Sequence, residues 1–180
     1  MQRNRCASII STLVSASMTI AFASSAGEAL AKEKTRSCKA TTASVVSRIN
    51  EAVVVEFGKA WRVSGCGIGE IEGAVLLCLM ADGSISARSL GQTNQRRKFT
   101  IVCDADVIAI VHTHPNKSSA EPEGGDLEIA DRLRIPVFTI TNRGMYVYDP
   151  GSRRISKIQS GLNWLDSTRW IRGKVSATKQ

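Results

Sequence analysis

From Thr41 to Phe57 the chain reads TTASVVSRINEAVVVEF, with Val45, Val46, Ile49, Val53 and Phe57 near helical spacing. Thr41 and Thr42 precede them as candidate caps, so the stretch predicts an amphipathic helix. The glycine-rich SGCGIGE breaks that pattern, and IEGAVLLCLM follows as a continuous apolar run of buried-strand type. Asp82-Gly83 is a hairpin signal, with SISARSL alternating as the partner strand. KFTIVC and VIAIVHTH predict two further strands, and Asn116–Gly125, NKSSAEPEGG, is a loop by composition. Leu127, Ala130 and Leu133 then predict a helix with Asp126 at its N-cap and Pro136 beyond its end. VFTIT, the turn NRG and MYVYD predict a closing hairpin, and Asp149-Pro150-Gly151 ends the compact pattern. Together these elements predict an α/β fold, a single-domain sandwich of a mixed sheet flanked by helices.

The two ends fall outside that pattern. Arg3 and Arg5 precede an uncharged stretch from Cys6 to Gly27, closed by the small-x-small sites Ala21-Phe22-Ala23 and Ala29-Leu30-Ala31. This is the layout of a cleaved secretory signal over residues 1–31. It predicts export, to the periplasm or outside the cell, with no stable membrane span left after cleavage. The domain is expected over 32–150, followed by a basic tail, 151–180, whose GLNWLDSTRWIR predicts a short helix carrying Trp164 and Trp170.

The formal charge of +8 is one lower without residues 1–31, so the predicted mature chain stays basic. Its Lys and Arg are scattered, apart from Arg96-Arg97-Lys98 and the C-terminal segment. No recognition helix or aromatic RNA-binding signature accompanies them, so no specific nucleic-acid partner is expected. Cys38, Cys66, Cys78 and Cys103 remain after cleavage, and export to an oxidising compartment makes them candidates for two disulfides. No CxxC pair exists, which argues against a four-thiolate zinc site.

Both histidines of the chain lie in IVHTHP. On a strand, His112 and His114 project to one side and Thr113 to the other. Two imidazoles so placed can share one metal ion, and Pro115 ends the strand beside them. Asp126, returned by the loop, is the candidate third ligand, and the set fits Zn(2+) with a fourth position for water. Hydrolysis then needs a carboxylate to move the proton of that water. Glu70 and Glu72, opening so apolar a strand, are the candidates. No strand-Gly-x-Ser-x-Gly turn or phosphate-binding glycine loop offers a competing chemistry.

The block VHTHP…D…A…IPVFTIT…G…YVYDP resembles the JAMM (JAB/MPN) metalloprotease domain, in its small bacterial JAB-like branch, over about Thr41 to Pro150. The resemblance implies a cytidine-deaminase-like fold and zinc on His112, His114 and Asp126. The family spacing Glu-x-x-Gly implies Glu70 as acid/base, with Glu72 in reserve. Better-known members hydrolyse isopeptide bonds to ubiquitin or ubiquitin-like proteins. An exported member would take a peptide, cell-wall or other protein amide instead. Where the family has a serine three residues before the aspartate, this chain has Glu123, and Ser118 or Ser119 is the candidate substitute. Loss of that donor makes a catalytically silent binding module the alternative expectation.

Overall fold

A computed structural model of the chain describes residues 40–92 and 106–170. The first apolar stretch forms two helices, α1 (Thr42–Val46) and α2 (Glu51–Val63), where the pattern predicts one. Asn50 is the reason: its backbone is extended and its side chain accepts from the Val53 amide at 3.1 Å, which starts a new helix. Thr41 caps α1 the same way, accepting from the Ser44 amide at 3.2 Å. The five apolar positions of the pattern are buried in one cluster despite the break.

Six strands follow: β1 (Gly73–Leu79), β2 (Ile85–Gln92), β3 (Asp106–Thr113), β4 (Val137–Thr141), β5 (Gly144–Asp149) and β6 (Arg154–Ser160). Their order in the sheet is β2-β1-β3-β4-β5-β6. The predicted strand KFTIVC lies outside the described residues. Asp82-Gly83 makes the β1–β2 turn, with Gly83 at φ 81 and the Asp82 carboxylate accepting from the Ser84 amide at 2.9 Å. Strands β3 and β4 run parallel, joined across α3 (Gly125–Leu133), and the other pairs are antiparallel. The sheet is therefore mixed, as expected.

Each face of the sheet has its own core. On one, α1, α2 and the C-terminal turns pack over Val75, Leu77, Val111, Phe138 and Ile140. On the other, Ala130 of α3 packs with Leu76, Ile110, Val137 and Tyr148. Period-2 alternation along β3 sends Ala109 and Val111 to the first face and Ile110 to the second. His112 shares the second face, where α3 begins.

Four expectations need correction. The compact unit does not end at Pro150, because β6 adds a sixth strand antiparallel to β5. Beyond it GLNWLDSTRW forms two 3-10 turns, Gly161–Leu165 and Ser167–Arg169, where one short helix is expected. Trp164 there is fully buried, donates from Nε1 to the Thr141 carbonyl at 3.0 Å and stacks edge-on against Trp61. The cap of α3 is Gly124, at φ 51, and Asp126 lies inside the first turn. Fourthly, Cys66 is an exposed free thiol, so the four cysteines do not all pair. Cys78 is buried in β1, while Cys38 and Cys103 lie outside the described residues.

SGCGIGE is a fastened loop. Gly65, Cys66 and Gly67 are consecutive left-handed residues, with φ of 66, 55 and 71. The Asn116 amide donates to the Gly67 carbonyl at 2.8 Å, and Asn116 Nδ2 donates to the Cys66 carbonyl at 3.1 Å. A Cβ on Gly67 would stand 2.7 Å from Asn116 Oδ1, so this contact requires glycine. The loop leading to the glutamates is thus tied to the chain just after His114-Pro115. Among the described residues no helix is long and apolar enough to cross a membrane.

Candidate metal centre

Strand β3 delivers its imidazoles at its C-terminal end. His112 is within the strand and His114 follows it, held by its amide donating to the Ile140 carbonyl of β4 at 3.2 Å. Both are buried, at 5% and 6% exposure, with their Nε2 atoms 3.0 Å apart. The loop 116–124 then carries the chain to α3, whose first turn brings Asp126 back over the pair. Asp126 Oδ1 lies 3.2 Å from His112 Nε2, and Oδ2 lies 3.4 Å from His114 Nε2. Among the described residues these three form the group able to hold a metal ion.

The spacing fits a shared ion. Bonds of about 2.0–2.1 Å in a tetrahedron set neighbouring donor atoms about 3.3 Å apart. The two Nε2 atoms are 3.0 Å apart and lie 3.2 and 3.4 Å from the two different oxygens of Asp126, and one donor atom from each residue falls within 4.8 Å of the others. Two imidazole nitrogens and a carboxylate suit zinc and also other divalent metals of the first transition row.

The tautomer of His114 is also determined. Its Nδ1 lies 2.8 Å from the Ser119 carbonyl oxygen, which can only accept, so Nδ1 carries the proton and donates it. Nε2 is then left as the ligand atom. Burial disfavours the charged form of His114, but Asp126, the Ser119 carbonyl and the charge of Glu72 outweigh it, and its pKa is raised. Burial likewise pushes Asp126 up, yet hydrogen bonds with His112 and His114 win and hold its carboxyl well below the usual carboxylate range. The Glu123 amide, donating to Oδ2 at 3.1 Å, and the start of α3 act in the same direction.

Behind the ligands, Thr113 points to the opposite face and accepts from the Gly73 amide at 2.9 Å. Ala74 pairs with His112 across the β1–β3 ladder, and this antiparallel register, continued outward, sets Glu72 opposite His114 on the imidazole face. Glu72 is half-buried there, whereas Glu70 is exposed. Ser118 is exposed, and the Ser119 hydroxyl donates to the Glu121 carbonyl at 3.2 Å. Ser119 serves the site through its carbonyl.

That carbonyl, Thr113 as an acceptor, and Asn116 are site features absent from the sequence expectation. A main-chain oxygen leaves no trace in residue type. Thr139 was also unassigned, though a polar residue inside the fully buried VFTIT run is a readable signal.

Comparison of the chain with protein-family profiles, curated proteins and solved structures finds no match in any of the three.

Proposed function

We propose that this protein is an exported, zinc-dependent hydrolase of amide bonds, peptide or isopeptide, of the JAMM (JAB/MPN) type. The observation that carries the reading is the convergence of His112, His114 and Asp126 at the end of β3, with one possible ligand atom from each within 4.8 Å of the others. When bound there, zinc supplies a Lewis acid for the scissile carbonyl and lowers the pKa of a water to about 7.

The chain's own residues do the rest. Asp126 compensates the positive charge, and Ser119 holds His114 in the ligating tautomer. A glutamate takes the proton of the attacking water and returns it to the departing amine. Glu72 is the stronger candidate for that step, because its position faces His114 and its charge acts on that imidazole. Glu70, favoured by the family spacing, is the other. The substrate is a protein, peptide or cell-wall amide, since export separates the enzyme from cytosolic isopeptides. One disulfide, joining the buried Cys78 to Cys38 or Cys103, belongs to the same reading, because an exported chain meets an oxidising compartment.

A second reading, a silent binding module, is favoured by Glu123 at the motif-serine position and by the engaged Ser119 hydroxyl. Losing one such donor lowers turnover by about 10²–10³ in comparable sites.

Two measurements decide. Metal analysis of wild type, His112→Ala and Asp126→Ala is expected to show zinc only in the first; equal content in all three ends the metal reading. Cleavage of a peptide and isopeptide library is then compared among wild type, Glu70→Gln and Glu72→Gln. Cleavage lost in Glu72→Gln supports the hydrolase; zinc binding without glutamate-dependent cleavage supports the module.

A further inference from the structure

Three consecutive carbonyls of the loop between the ligands are each held by a donor from a different part of the fold. Arg143, in the β4–β5 turn, donates from its guanidinium to the Ser118 carbonyl. His114 Nδ1 donates to the Ser119 carbonyl at 2.8 Å. Thr139, in β4, donates its hydroxyl to the Ala120 carbonyl at 2.6 Å. We propose that Thr139 and Arg143 are positioning residues that hold Ser118–Ala120 so that the Ser119 carbonyl keeps His114 in its metal-binding tautomer. This rests on the metal reading above.

The loop needs such holding. NKSSAEPEGG has almost no apolar surface to bury, and its backbone would otherwise sample many conformations. A displaced Ser119 carbonyl would free the His114 ring to carry its proton on Nε2, where it blocks ligation. Thr139 is well placed to prevent this. It is fully buried, and it is the register partner of His112 in the adjacent parallel strand, so its hydroxyl rises from the sheet beside the ligands. Arg143 reaches the same loop from the solvent side and fixes the other flank of Ser119. The pair therefore clamps the peptide units on both sides of one oxygen.

Outer-shell groups of this kind change metal affinity by about 10–100-fold. Thr139 acts through the neighbouring peptide, so the low end applies: about tenfold weaker zinc binding in Thr139→Val, and a smaller loss in Arg143→Ala. The experiment is zinc titration of the full chain against a chromophoric chelator, with metal-free unfolding curves for each variant. Thr139→Ser, which keeps the hydroxyl, and Arg143→Lys, which keeps a donor, are expected to restore affinity. A merely structural role would lower metal-free stability and leave the affinity of the folded protein unchanged. Wild-type affinity in folded Thr139→Val and in Arg143→Ala would overturn this proposal alone. If Thr139→Val does not fold, Arg143→Ala decides by the same criterion. A wild-type chain that takes up no zinc would overturn the metal reading and this proposal together.

Discussion

The Gly73 amide donates to the Thr113 hydroxyl at 2.9 Å, fastening the residue after Glu72 to the residue between the two histidines. The bond joins the strand that presents the metal ligands to the segment that presents the candidate base, on the sheet face opposite both. Replacing Thr113 with Val keeps the shape and leaves a buried amide unsatisfied, which costs about 1–3 kcal/mol. Urea unfolding should show that loss in Thr113→Val and most of it recovered in Thr113→Ser. A Val variant as stable as wild type would mean the bond contributes nothing.

Gly73 also passes close to α2. A Cβ there would lie 2.4 Å from the Ala60 carbonyl oxygen, a backbone atom that cannot swing aside. Gly73→Ala therefore has to push α2 and the sheet apart, at roughly 1–3 kcal/mol. Gly125, in the first turn of α3, has nothing within 4 Å of a Cβ. Gly125→Ala should be neutral or stabilising by up to about 1 kcal/mol. Thermal unfolding of the two variants should move in opposite directions or differ clearly in size.

Stability should depend on pH differently with and without metal. His114 has a raised pKa in the fold, so its contribution is fully present below the unfolded value of about 6.5 and fades as pH rises through the folded value. Asp126 is depressed, so its contribution is present above about 3.9 and fades on acidification below that. The metal-free chain should thus be most stable in the mildly acidic range between them. Zinc competes with the proton on His114, so metal binding strengthens as pH rises. The stabilisation by zinc over EDTA should widen from pH 6 to pH 8 in melting experiments. A gap independent of pH, or an unchanged metal-free profile in His114→Ala, would contradict this coupling.

Trp164 anchors the C-terminal segment to the core. Its Nε1 satisfies the Thr141 carbonyl, and its own carbonyl accepts from Trp170 Nε1 at 3.2 Å. Trp164→Phe should destabilise by about 1–3 kcal/mol through the lost hydrogen bond and the unfilled space. Truncation after Pro150, which removes β6 and both tryptophans, should abolish a cooperative unfolding transition. A truncated chain that melts cooperatively at the wild-type temperature would refute the assignment of this segment to the fold.

Thiol reactivity separates the cysteines. Cys66 is exposed and free, while Cys78 is buried. A water-soluble disulfide reagent, followed by peptide mapping, should modify Cys66 in the folded protein and leave Cys78 unmodified. Cys66 left unmodified, or Cys78 modified as fast, would contradict the placement of the two.

Much of the architecture was legible from local patterns. The apolar runs of β1, β3 and β4, the Asp82-Gly83 turn and the helix around Ala130 each follow from short-range periodicity and turn chemistry. The division of the first helix at Asn50 was not legible, because the apolar spacing runs through the break and both helices bury the same face. The strand Arg154–Ser160 was missed because an exposed edge strand carries no apolar run: it reads RISKIQS.

For the candidate site, residue type and spacing alone determined the His112–His114 pair, since a strand must send residues two apart to the same side. They also nominated Asp126 and the two glutamates. Only the tertiary structure decided that Asp126 comes back within 3.2 and 3.4 Å of the imidazoles, that a Ser119 carbonyl sets the tautomer, and that the charge of Glu72 acts on His114. Those facts depend on how a crossover loop closes and on how two strands register. Both arise from contacts between residues distant in sequence, which no local pattern contains.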